Sequence, residues 1–230
     1  MNLSEDYRNE LVTSGCSLTI DYANNELNEL KYFVDTLEIF ISNEECREVE
    51  VLAKYAQQQG ITPAGEFWAE HPPYWWRQIF ASRLRSSYTI TLMSAVEKHL
   101  EAVCLDIQVI LRSEIAQDEL KGSTIERCRK YLEKVAKFQS PLPHTWEIIG
   151  YLYDVRNIFI HNGGMLGESV RSKRLNHFAS IATGLSIQSG KYIELEHGFV
   201  DFAISIVKTF FSELSNELHL ACERAQIATS

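Results

Sequence analysis

The chain has 230 residues, 45% apolar and 23% charged, enough for one large domain or a domain with a helical extension, in an ordinary globular composition. Its 22 Lys and Arg against 31 Asp and Glu leave a net charge of −9, which counts against a general nucleic-acid binder. The acidic, polar start from Met1 to Asp6 does not read as a signal peptide, and no apolar run approaches the roughly 18 residues of a membrane span. Five scattered cysteines without a Cys-x-x-Cys pair read as reduced packing residues, so a cytoplasmic chain with no membrane partner is expected.

Residues 1–20 carry no strong period and read as mobile or loosely docked. From Asn24 the stripe Leu27, Leu30, Val34, Leu37, Ile41 predicts a helix. At Ser42 the phase slips to Cys46, Val49, Ala53 and Ala56, and Ser42 with Glu45 has the pattern of a capping box. A second helix over residues 43–59, stopped by Gly60, is therefore expected, with a break or kink near Ser42. Residues 60–73, with Pro63, Pro72 and Pro73, are a connector and the candidate boundary between an N-terminal helical extension (1–70) and a helical bundle (71–230). Tyr74-Trp75-Trp76 follows; such aromatics can stack bases, but at a helix start they more often anchor it to a neighbour.

The longest helix is predicted over 74–113 on Leu84, Tyr88, Leu92, Val96, Leu100, Val103, Ile107 and Ile110. Glu97 and Glu101 share one face of it. Without histidines at ligand spacing they read as a solvated face and not a metal site, although a glutamate here that points at a later motif would orient it. Ser123 and Glu126 form a capping box opening a short helix with the stripe Ile125, Cys128, Leu132, Val135. Ser140-Pro141-Leu142-Pro143 ends it, and the next helix starts near Thr145 or Trp146 and stops at Gly163-Gly164. An irregular stretch to Thr183 is expected next. Then Leu185 to Gln188 and Lys191 to Leu195, around Ser189-Gly190, give a hairpin signal. The last helix, over 198–224, has a wide apolar stripe that marks a central bundle member. The fold class expected is all-α, an up-and-down helical bundle with a small β-hairpin before the last helix.

Chemistry concentrates in the helix that stops at the paired glycines. At about 100° per residue, Ile148, Leu152, Val155 and Phe159 fall together as a buried stripe. Asn157 and His161, spaced i and i+4, fall on the opposite side, and Arg156 sits on the flank with reach to either. Arg and His near a helix C-terminus also oppose the macrodipole favourably, and that needs no further purpose. Arg171, Lys173 and Arg174, with Arg156, make a basic island against the lone Glu168, able to meet a phosphate or two.

Arg156, Asn157 and His161, an arginine, a small polar residue and a histidine with four residues between the first and last, resemble the signature of the HEPN superfamily, helical bundles that bind nucleotides or cleave RNA in toxin–antitoxin, anti-phage and RNA-processing systems. The resemblance spans about residues 75–225. It implies a homodimer in which two motifs meet in a composite site, a metal-independent RNA endonuclease without cofactor, and a separate antitoxin protein as a further partner. In that role His161 transfers protons, Arg156 clamps phosphate, Asn157 positions, and Arg171, Lys173 and Arg174 touch RNA. Two rivals stand beside it: a non-catalytic HEPN-like dimerisation or ligand-binding module, and an unrelated helical interaction protein in which His161 is isolated on a monomer. The chain has no Gly-x-Gly-x-x-Gly, Walker, Gly-x-Ser-x-Gly or His-Glu-x-x-His motif, and its other histidines are dispersed.

Overall fold

The computed structural model describes residues 5–14, 17–61, 75–139, 141–167 and 170–227. They form seven α-helices and one hairpin: α1 (Glu5–Ser14), α2 (Ser17–Gln58), α3 (Ser82–Leu111), α4 (Thr124–Lys134), α5 (Pro143–Asn162), α6 (Val170–Ala179), β1 (Leu185–Gln188), β2 (Tyr192–Leu195) and α7 (His197–Ile227). The fold is mostly helical with the hairpin just before the last helix, as expected. A π-helical segment, Trp75–Ala81, leads straight into α3. The connector over 62–74, and with it the proposed boundary at 70 and Tyr74, lies outside the described residues.

Helices α3 and α7 each pack against both α2 and α5 and form the centre of the molecule. Their contact surfaces carry Leu92, Val96, Leu100, Val103 and Ile107 on α3, and Phe199, Phe210, Phe211, Leu214 and Leu218 on α7, all fully buried. Ala23, Leu27 and Val34 of α2 belong to the same apolar cluster. Aromatic rings lock the layers: Trp146 of α5 meets Phe210 edge-on at 4.8 Å, and Tyr151 stacks on Phe178 of α6 at 5.1 Å. Trp76 takes the anchoring role, stacked on Phe80 at 4.8 Å and edge-on to Phe40 of α2 at 6.3 Å, whereas Trp75 is half exposed.

Three expectations are corrected. Residues 5–14 are a docked helix: Leu11 and Val12 are buried, and the Arg8 Nε donates to the Ile110 carbonyl at 3.3 Å. Ser42 does not open a second helix, because α2 runs unbroken for 42 residues. The apolar phase slips there for another reason. Beyond Ile41, α2 leaves the core, and of its later residues only Ala56 is buried. Finally, α6 stands where irregular chain was expected, held by Leu175 and Phe178, both fully buried.

Local signals elsewhere are realised directly. Ser123 caps α4, accepting from the Glu126 N–H at 3.4 Å while the Glu126 carboxylate accepts from the Ser123 N–H at 2.9 Å. In the hairpin Leu185 pairs with Leu195 and Ile187 with Ile193; Ser189 and Gly190 take φ of 52° and 66°, the left-handed pair a two-residue turn requires.

Candidate functional site

Helix α5 is fixed at both ends. Pro143 occupies its first turn, and the Glu213 carboxylate of α7 accepts from the Leu142 N–H at 2.9 Å and the Thr145 hydroxyl at 3.2 Å. A carboxylate there satisfies orphan donors and opposes the positive end of the helix. At the other end Gly163 takes φ 58°, its N–H returning to Phe159 and that of Gly164 to Ile158, so the helix stops where the paired glycines predict. The chain then pairs with the hairpin: Ile193 N–H donates to Gly164 at 2.9 Å and Leu166 N–H to Lys191 at 2.7 Å. The last turn of α5 is thus tied to a β-ribbon.

Arg156 turns towards α3. Its Nη2 lies 3.7 Å from Glu97 Oε2, its Nη1 donates to Asn157 Oδ1 at 2.8 Å, and the guanidinium sits 5.6 Å from the centre of the Tyr153 ring. Its buried Nε has no hydrogen-bond partner among the described residues. One turn further along α3, Glu101 meets Arg127 of α4 at 3.5 Å. Burial pushes the Glu97 carboxyl above its ordinary value; Glu101 adds to the rise, and Arg156 and Arg127 oppose it. Glu97 is therefore the glutamate of α3 that faces Arg156, at ion-pair distance. Arg127 and Tyr153 complete the cluster, and neither carried a signal in the sequence, since both owe their place to packing between helices.

Asn157 does not face outward. It is 8% exposed, and its amide oxygen is spent on Arg156. The wheel assigned α5 one buried stripe, but α3, α6 and α7 all pack on it, so burial wraps most of its circumference. His161 does face outward. It is exposed, the second-last residue of α5, and has no hydrogen bond or ion pair among the described residues. Exposed Ile160, Met165 and Tyr192 belong to the same end of the molecule, Met165 forming a β-bridge to Tyr192.

The basic island is not gathered at His161. Arg174 pairs with the buried Asp154 at 3.1 Å and lies over the Tyr151 ring at 5.1 Å, next to Gly150, near the middle of α5. Lys173 is exposed on α6; Arg171 lies in the same helix, its side chain outside what is described. Arg174 also lines a cleft of about 620 Å³ with Trp146, Gly150, Tyr153 and Asp154, so Tyr153 stands between this cleft and Arg156. Among the described residues no cluster of three or more His, Cys, Asp or Glu could hold a metal ion, and no helix is long and apolar enough to cross a membrane. Set against known protein families, curated proteins and solved structures, the chain matches none of them.

Proposed function

We propose that the chain is a HEPN-like, metal-independent RNA endonuclease whose site is completed when two copies bring the ends of α5 together. The observation that carries this reading is a solvent-facing imidazole at His161, without a hydrogen bond or ion pair among the described residues, on the same helix as an arginine five residues earlier that is held in place from its own chain. Glu97 and Asn157 each hold one terminal nitrogen of Arg156, so the cation is oriented, and the second N–H on each of those nitrogens is the donor this reading offers to a phosphate oxygen. The exposed Ile160, Met165 and Tyr192 around the same helix end supply apolar surface for a second copy.

In this mechanism His161 of one copy removes the proton of the ribose 2′-OH, and the freed oxygen attacks the adjacent phosphorus. The bond from phosphorus to the 5′-oxygen breaks, leaving a 2′,3′-cyclic phosphate. The protonated His161 of the second copy gives its proton to the departing oxygen. Arg156 neutralises the charge that builds on phosphorus, and Asn157 acts as a positioning residue behind it. Lys173 meets a neighbouring phosphate. The resemblance carries with it a toxin or anti-phage setting and a separate antitoxin protein.

One observation favours a second reading, a non-catalytic dimerisation or ligand-binding module: two of the three Arg156 nitrogens are already engaged within the chain, and the molecule is acidic overall. Incubation of the purified protein with single-stranded RNA in EDTA separates the two. The nuclease reading expects cleavage to cyclic-phosphate ends and a fall of about 10²–10⁴-fold in His161→Ala, the range of an acid–base group. No cleavage by the wild type, or equal cleavage by His161→Ala, overturns it.

A further inference from the structure

Four charged side chains from three helices form a row across α3. Glu97 and Glu101 lie one turn apart, with Arg156 of α5 at 3.7 Å from the first and Arg127 of α4 at 3.5 Å from the second. The side chains of Glu97, Arg156 and Arg127 are only 18%, 21% and 26% exposed, so solvent screens the row weakly. The two carboxylates, spaced i and i+4, repel each other. Burial holds the Glu97 carboxyl above its ordinary value; Arg156 pulls it down, Glu101 pushes it up and Arg127 pulls it down. Those three are the charged groups that act on Glu97.

Arg127 is held from its own side. Its Nη1 donates to the Gly122 carbonyl at 3.4 Å, its Nη2 to the Thr124 hydroxyl at 3.4 Å, and its Nε to the Gln117 side-chain oxygen at 3.5 Å. The chain leading into α4, together with the first residue of that helix, thus brings the guanidinium to α3. A lone pair of this kind at the surface contributes little to stability. Here it completes a balance, two arginines against two glutamates, around the arginine assigned to phosphate. Without Arg127 the same cluster carries one net negative charge, which repels a phosphate.

We infer that Arg127 is a positioning residue for Arg156, acting through Glu101 and Glu97. It neutralises the second glutamate, so Arg156 faces one uncompensated carboxylate and keeps charge for an RNA phosphate. The phosphate end of this inference rests on the nuclease reading; the charge balance on α3 does not.

The test uses the full chain in two arms. In the first, carbon NMR follows the Glu97 carboxyl through a pH titration, with Glu97→Gln identifying its signal. Arg127→Met is expected to move that titration to higher pH, and Arg127→Lys, which keeps the charge, to leave it near wild type. Adding Glu101→Gln to Arg127→Met restores the balance and is expected to bring it back down. In the second arm KM for single-stranded RNA is measured in EDTA. Arg127→Met is expected to raise KM a few-fold, and the added Glu101→Gln to lower it again, whereas losses of folding alone would add. A Glu97 titration unmoved by Arg127→Met, or a double variant no closer to wild type than Arg127→Met, overturns the inference. A wild type that cleaves no RNA removes the nuclease reading, and the titration then decides alone whether Arg127 sets the charge that faces Arg156.

Discussion

At the scale of single residues, the candidate site is an arginine held by Asn157 and Glu97 and, five residues further along the helix, a histidine left in water. Asn157 is the pivot. Its carboxamide is buried and accepts from a charged group, so Asn157→Ala removes a charge-assisted bond and should lower stability by about 1.5–3 kcal/mol, read from chemical denaturation. An unchanged midpoint would mean that the pair contributes nothing. Glu97 predicts a pH dependence. With its pKa raised above the ordinary 4.5, the folded chain keeps a proton that the unfolded chain releases. The stability tied to Glu97 is therefore full below pH 4.5 and is lost as the pH climbs through the folded value. Glu97→Gln should flatten that part of the stability profile in a denaturation series starting at pH 4.5, and a slope identical to wild type contradicts the assignment. Sequence reading set His161 towards solvent and allowed a glutamate of α3 to face Arg156, and both placements are as expected, because helical phase is a local pattern. It put Asn157 on the wrong side, because a helical wheel knows one helix and not the three that surround it.

At the scale of elements, the features legible in the sequence are those whose physics is settled within a few residues. The Ser123 cap, the Gly163 stop and the Ser189-Gly190 turn each satisfy backbone groups locally, and each stands where its pattern placed it. The capping pattern at Ser42 fails because a cap is useful only where a helix must begin, and inside α2 the backbone already bonds to itself. Helices α1 and α6 escaped notice because their anchors are few and distant: the Ile110 carbonyl for Arg8, and the ring of Tyr151 for Phe178. Two glycines separate backbone strain from crowding. At Gly163 a Cβ meets nothing within 4 Å, so Gly163→Ala should cost only the left-handed conformation, about 1–2 kcal/mol. At Gly184, with φ 73°, a Cβ would stand 2.3 Å from the Phe199 nitrogen, backbone against backbone at the start of α7. Gly184→Ala should therefore depress the melting temperature several times as far as Gly163→Ala, and equal shifts in a thermal melt would contradict this.

At the scale of the whole molecule, one bundle presents two unlike surfaces. Beside the end of α5 stands an exposed histidine with apolar neighbours; along α2 stand exposed apolar side chains, Tyr22, Tyr32, Phe33, Ile39 and Phe40 among them. The net charge of −9 counts against an extended RNA-binding face. The nuclease reading makes a specific demand on assembly, since one copy supplies one His161 and the reaction needs both a base and an acid. That demand can be measured by co-expressing wild type with His161→Ala in equal amounts and following cleavage of single-stranded RNA in EDTA. If two histidines from two copies build each site, only pairs of wild-type chains cleave, and activity per total protein falls to about one quarter for a two-fold pair. Activity that falls only to about one half, as for independent subunits, would contradict the composite site, and cleavage that survives in His161→Ala alone would contradict the assignment of the histidine itself.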